Sequence, residues 1–353
     1  MIGEQIKHAR EFNGFTQAML AEKLGIQQYV ISQAERNARV LSDDLLKQIS
    51  EVTGFPVEFF NESPESEFPL GSLLYRKFNY LSSQDKTHAY RIAWQSYYLY
   101  ERLSKRLRTI PLRIPKFIEE DPITAARLIR SAIGCEPEIP IKNLINKFER
   151  YGILVVMLSE EIKGLDAFST WVNGIHPVIV LSPERPGDRQ RLSAAHELGH
   201  LVLHQSFRGG FDDLEREANQ FAAELLLPEE AMRREMVPPI TLSNLAELKC
   251  RWGTSIQALT YRARELGIIS LRQDKYLWTQ ISKRGWRTHE PDALYISPEK
   301  PRALRKMAEV LYGEPIQYMK LAAETHLPVF WVKRALDNHA SKEDFDASLR
   351  NVN

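Results

Sequence analysis

The stretch His196-Glu197-Leu198-Gly199-His200 decides how the middle of this 353-residue chain is read. On an α-helix, residues four apart lie one above the other, so both imidazoles face one point and Glu197 stands beside them. Such a helix, from about Asp188 to His204, predicts a zinc site. Neutral His196 and His200 each offer a lone pair to Zn2+, and Glu197 is placed to act as the catalytic base toward water that the metal activates. Gly199 costs about 1 kcal/mol of helix propensity and keeps the backbone bare between the ligands. A pentad this short also arises by chance, so its neighbours decide.

Upstream, Gly152 opens the apolar run Ile153 to Leu158, short enough to be a strand, and the runs Ala167 to Val172 and Pro177 to Leu181 flank Asn173-Gly174. That dipeptide is a strong hairpin signal, so a small, mainly antiparallel sheet is expected before the metal helix. An edge strand of that sheet can hold an extended peptide by backbone hydrogen bonds. Downstream, Glu215 to Pro228 reads as a helix with three glutamates. Glu215 and Asn219 share a face, which favours Glu215 as third ligand, with Asn219 orienting a ligating histidine. Glu217 is the second candidate, and periodicity alone does not separate the two. His204 extends the histidine row by one turn, and packing or a hydrogen bond to a ligand is the expected role.

The first sixty residues carry another pattern. A helix from Ile2 ends near Asn13-Gly14, Thr16 caps a second from Gln17 to Leu24, and Gly25 turns into a third that runs through Tyr29 to Arg36. Two short helices about a tight glycine turn form a helix-turn-helix, whose second member enters the DNA major groove. The string Thr16-Gln17-Ala18-Met19-Leu20-Ala21-Glu22-Lys23-Leu24-Gly25-Ile26, with Ile31-Ser32 and Glu35, resembles the phage-repressor (Cro/CI, XRE) family. The resemblance covers about residues 1–60 and implies five helices, with Gln17 on the DNA backbone and Gln27, Gln28, Tyr29, Ser32 and Gln33 facing bases of a double-stranded operator. A glutamine amide can pair bidentately with adenine. Residues 1–62 hold six basic against nine acidic side chains, a net −3, so phosphate neutralisation alone gives weak binding and a dimer or base readout has to supply the rest. A helical module that binds protein is the competing reading.

The pair His-Glu-Leu-Gly-His and Glu215-Arg-Glu-Ala-Asn-Gln-Phe-Ala-Ala-Glu-Leu-Leu-Leu-Pro228 is similar to the ImmA/IrrE family of zinc metallopeptidases. The resemblance covers about residues 111–290. It implies a gluzincin-like site in which His196, His200 and Glu215 hold zinc and Glu197 is the base. It also implies a substrate class, repressors of the phage-repressor type, cleaved in a stress or mobile-element response.

Between the two lies a polar, acidic, proline-bearing stretch, Asn61 to Pro69, and then a long helix capped at Ser82 and running to about Arg108. Its stripe Ala89, Ile92, Ser96, Leu99, Leu103, Leu107 has to be covered by the next segment or by a second copy, which makes a homodimer an expectation. The basic end, Arg102, Lys105, Arg106 and Arg108, reads as a solvated helix terminus, and Arg251, Arg262 and Arg264 further on read as a solvated helix face, with substrate contacts the alternative. Two helices are expected at Leu245 to Trp252 and Ser255 to Leu266, and two or three after Pro301.

The expected architecture is multidomain and mainly α with an α+β part: residues 1–62 the helix-turn-helix domain, 63–110 linker and long helix, 111–290 the metallopeptidase-like domain, 291–353 a helical region. Two distant cysteines in no metal-type spacing, no signal peptide and no apolar run near the ~20 residues of a membrane span predict a cytoplasmic protein without a membrane partner. Three functions compete on these residues: a DNA-binding regulator whose zinc endopeptidase cleaves a repressor or itself; a regulator or antitoxin whose zinc domain senses metal or ligand without turnover; and a DNA-binding dimer in which the motif helix is scaffold.

Overall fold

Two helices of the N-terminal region start at side-chain caps. Thr16 accepts from Met19 N–H at 3.1 Å to start α2 (Gln17–Lys23), and Ser42 accepts from Leu45 N–H to start α4 (Asp43–Thr53), which stops at left-handed Gly54. With α1 (Ile2–Phe12), α3 (Gln28–Glu35) and α5 (Val57–Phe60) they make the five expected helices. The computed structural model describes residues 2–62, 68–69, 81–115, 119–204 and 210–344. The expected linker therefore falls partly outside the described residues.

Next come α6 (Ser83–Ser104), α7 (Pro122–Ala132), α8 (Leu144–Arg150), β1 (Leu154–Met157), β2 (Ala167–Val172), β3 (His176–Leu181), α9 (Gly187–Leu203), α10 (Phe211–Leu226) and α11 (Glu229–Glu235). The chain continues through α12 (Leu242–Trp252), α13 (Ile256–Glu265), α14 (Leu271–Lys283), α15 (Ala303–Tyr312), α16 (Tyr318–Thr325) and α17 (Val329–Asp337). No helix among the described residues is long and apolar enough to cross a membrane. The long helix is capped by Ser82 as expected but ends at Ser104 rather than near Arg108. Helices α11 and α14 were not expected from the sequence.

The sheet has strand order β1-β3-β2. Asn173 and Gly174 both take positive φ, the turn that matches strand twist, and β2 and β3 pair antiparallel with Ser169 opposite Ile179. Strand β1 joins the other edge of β3 in parallel, Val155 opposite Ile179, so the sheet is mixed. Its apolar runs are continuous because both faces are covered. Leu154, Val156, Val178 and Val180 face one core, shared with α1, α5, α6 and the C-terminal helices; Val155, Met157, Ile179 and Leu181 face a second, built from α7 to α14.

The first core joins the N-terminal helices to the rest. Ala89, Ile92, Ser96, Leu99 and Leu103 of α6 are buried within one chain, so the stripe needs no second copy to cover it. A polar seam runs along α1 and α6: Arg91, 4% exposed, pairs with Glu4 at 3.1 Å and Glu11 at 2.7 Å, and His8 Nε2 meets the Gln95 amide oxygen at 2.7 Å. Burial, reinforced by Arg91, holds the His8 imidazole well below its ordinary pKa. At the basic end of α6 Arg102 is half-buried and pairs with Glu62, whereas Lys105, Arg106 and Arg108 are exposed as expected, Arg106 meeting Glu324 at 2.8 Å on the surface.

Candidate metal centre and recognition helix

Helix α9 lies along β2 and α10 packs against its other side. The approach to α10 is close because position 199 is glycine: a Cβ there would sit 3.0 Å from the Phe221 ring and 3.3 Å from Ala218 Cα. The glycine read as keeping the ligands' backbone bare is thus a packing requirement of the helix pair that carries them.

His196, His200 and Glu215 converge. Their Nε2 atoms are 3.0 Å apart, and the Glu215 carboxylate oxygens lie 3.3 Å from His196 Nε2 and 3.1 Å from His200 Nε2. One donor atom from each falls within 4.8 Å of the others, a set that could hold a metal ion. Two Zn–N bonds of 2.0–2.1 Å in a tetrahedron set their nitrogens about 3.3 Å apart, so the three side chains fit a zinc-sized ion. Both imidazoles have Nδ1 occupied elsewhere: His196 Nδ1 lies 2.9 Å from the Asn219 amide oxygen, and His200 Nδ1 lies 3.0 Å from His204 Nδ1. This leaves each Nε2 lone pair for the common centre. The rings are 8% and 7% exposed.

Glu217, the other carboxylate weighed as a ligand, points away from the cluster to His204, whose Nε2 it meets at 2.9 Å. Burial lowers the His204 pKa below its ordinary value, partly opposed by the Glu217 carboxylate. The third glutamate, Glu224, is 1% exposed and pairs with Arg262, itself 2% exposed. The expectation that Arg262 lies on a solvated face is therefore wrong, because this ion pair ties α13 to α10.

Glu197 is 3% exposed, and Ser169 Oγ on β2 donates to its Oε2 at 2.9 Å. Two residues along, Trp171 Nε1 donates to the Leu201 carbonyl at 3.0 Å. Sequence reading missed both. Their two-residue spacing marks one strand face, but nothing in it says which helix that face meets. Strand β2 is an edge of the sheet among the described residues.

In the N-terminal domain Gln27, Gln28, Tyr29 and Gln33 are exposed and Ser32 is half-buried, all around one side of α3. Tyr29 is 58% exposed. Gln17 is differently placed: its amide donates to Glu35 at 2.7 Å, and Glu35 is held by Arg10 at 2.5 Å. Its N–H is turned into the joint between α2 and α3 rather than outward as expected for a phosphate contact.

These features describe a protein with a helix-turn-helix module and a histidine–glutamate cluster on paired helices beside a small sheet. Two family models match the chain. Residues 6–60 match the helix-turn-helix family model, and residues 148–264 match that of the IrrE N-terminal-like domain (Peptidase_M78). The chain therefore carries a helix-turn-helix domain followed by an IrrE-like, metallopeptidase-type domain. No curated protein matches. Among solved structures, Bacillus thuringiensis PlcR in complex with the peptide PapR7 and DNA is 15% identical over 83% of this chain and 98% of that one; its TM-score of 0.16 lets it carry no argument.

Proposed function

We propose that this protein is a DNA-binding transcriptional regulator whose second domain is a zinc-dependent endopeptidase, acting on a repressor-type protein or on its own chain. The observation that carries the reading is the convergence of His196, His200 and Glu215 on one point, with Glu197 in the same helix turn. Zinc held by these three would supply a Lewis acid that activates water and polarises a peptide carbonyl. Glu197 would take the proton from that water and return it to the leaving amine, and the Ser169 hydroxyl, which donates to Glu197 Oε2 at 2.9 Å, fixes that oxygen. Strand β2, an edge of the sheet among the described residues, adds an extended substrate segment as a further strand. Through the exposed side of α3 the regulator reads its operator, with Gln27, Gln28, Tyr29, Ser32 and Gln33 toward the bases. A homodimer on paired half-sites makes up, by engaging both at once, for the weak binding that each net-negative domain gives alone.

A second reading, a regulator whose zinc centre senses metal or ligand without turnover, is favoured by the low exposure of both histidines. One experiment separates the two. Zinc-loaded protein and its Glu197→Gln variant are incubated with repressors encoded beside it, and fragments are read by mass spectrometry. Cleavage by the wild type alone supports the peptidase, and identical treatment of every repressor by both proteins supports the sensor.

A further inference from the structure

The two histidines of the centre are oriented by different devices. His196 meets one neutral group, the Asn219 amide oxygen at 2.9 Å. His200 leads instead into a chain of two contacts: its Nδ1 lies 3.0 Å from His204 Nδ1, and His204 Nε2 lies 2.9 Å from Glu217 Oε2. We propose that Glu217 is a positioning residue for the metal centre, fixing the tautomer and ring plane of His200 through His204. The inference rests on the zinc reading above and gives a role to a carboxylate outside the ligand set.

Proton counting leaves one arrangement. His200 Nε2 faces His196 Nε2 at 3.0 Å and Glu215 Oε1 at 3.1 Å, so a His200 that gives this lone pair to a metal carries its single proton on Nδ1. Two Nδ1 atoms at 3.0 Å share one proton, so His204 accepts there and carries its own on Nε2. That proton meets Glu217, an acceptor-only carboxylate. Every donor in the chain thus points the same way, from His200 to His204 to Glu217. The terminal negative charge makes each preceding ring a stronger electron donor, as a carboxylate behind a ligating histidine does.

Geometry also allows this role to be separated from ordinary packing. The His204 side chain is 3% exposed, whereas that of Glu217 is 38% exposed, so replacing Glu217 opens no core cavity. Zinc dissociation constants of the full-length wild type, Glu217→Gln and Glu217→Ala are compared by competition with a chromophoric chelator, beside thermal unfolding of each protein stripped of metal. Glu217→Ala is expected to bind zinc about 10- to 100-fold more weakly. Glu217→Gln falls between, because its amide oxygen still accepts the His204 N–H but brings no charge. The metal-free unfolding curves are expected to coincide. Equal zinc affinity in all three proteins overturns the positioning role, as does a loss of affinity matched by the same loss of metal-free stability. A wild type that binds no zinc overturns the zinc reading and this inference together, so the two failures are told apart by the wild-type titration alone.

Discussion

The recognition helix and the metal centre solve opposite problems. On α3 the side chains expected to touch DNA are mostly exposed, with Tyr29 at 58%, and their specificity is realised only against a partner. On α9 both candidate histidine ligands and the proposed base are already held: His196 by Asn219, His200 by His204, and Glu197 by Ser169. A surface that reads bases gains from side chains free to adapt, whereas a metal site gains from donors fixed before the ion arrives. Changes on α9 should therefore act abruptly on one chemistry, and changes on α3 by graded loss of affinity.

The largest effect expected is that of Glu197→Gln, which loses about 10²- to 10⁴-fold in peptide cleavage while retaining zinc. Single-turnover fragment yields, taken beside metal content, check this. Gly199→Ala comes next. The added methyl meets the Phe221 ring at 3.0 Å, so that ring has to give by a few tenths of an ångström, a packing cost of about 1–3 kcal/mol set against the ~1 kcal/mol of helix propensity that alanine returns. Calorimetry should show the lower unfolding temperature, and a variant as stable as the wild type would show that the helix pair is looser than its packing indicates. On the other side of the comparison, Gln28→Ala or Gln33→Ala should weaken operator binding by about 1–3 kcal/mol where the amide reads adenine, with zinc content unchanged. Loss of zinc in either variant would mean that the two regions are not independent.

The smallest effect concerns the seam that joins them. His8 is kept neutral in the folded chain by burial, so its pKa lies below the unfolded value of 6.5. Its contribution is complete above that value and is lost as pH falls below it, because only the unfolded chain then takes up the proton. Unfolding followed through Trp94, whose ring lies 4.9 Å from His8, should show stability falling from pH 7.5 to 5. His8→Phe should flatten that slope whatever its baseline stability.

The sequence made the two regions legible to different depths. Spacing alone brought out the first three N-terminal helices, the hairpin at Asn173-Gly174 and the pairing of Glu215 with Asn219 on one face, because each depends on contacts within a few residues, while the count of five helices came from the family resemblance. The parallel pairing of β1 was not legible, since a continuous apolar run states that both faces are covered and leaves direction open. Nor were Ser169 behind Glu197, the burial of Arg262 against Glu224, or Glu217 turning to His204 rather than to the cluster. All three are decided by how distant segments meet. Gln17 shows the same limit at short range: its motif position suggests an outward contact, while Glu35 and Arg10 draw its amide inward.

Metal content of the purified protein tests the central claim most directly. One zinc per chain in the wild type, and none in His196→Ala or His200→Ala with helical content preserved, is the predicted result. A wild type that stays metal-free in excess zinc, or a His200→Ala variant that holds zinc as tightly as the wild type, would contradict it.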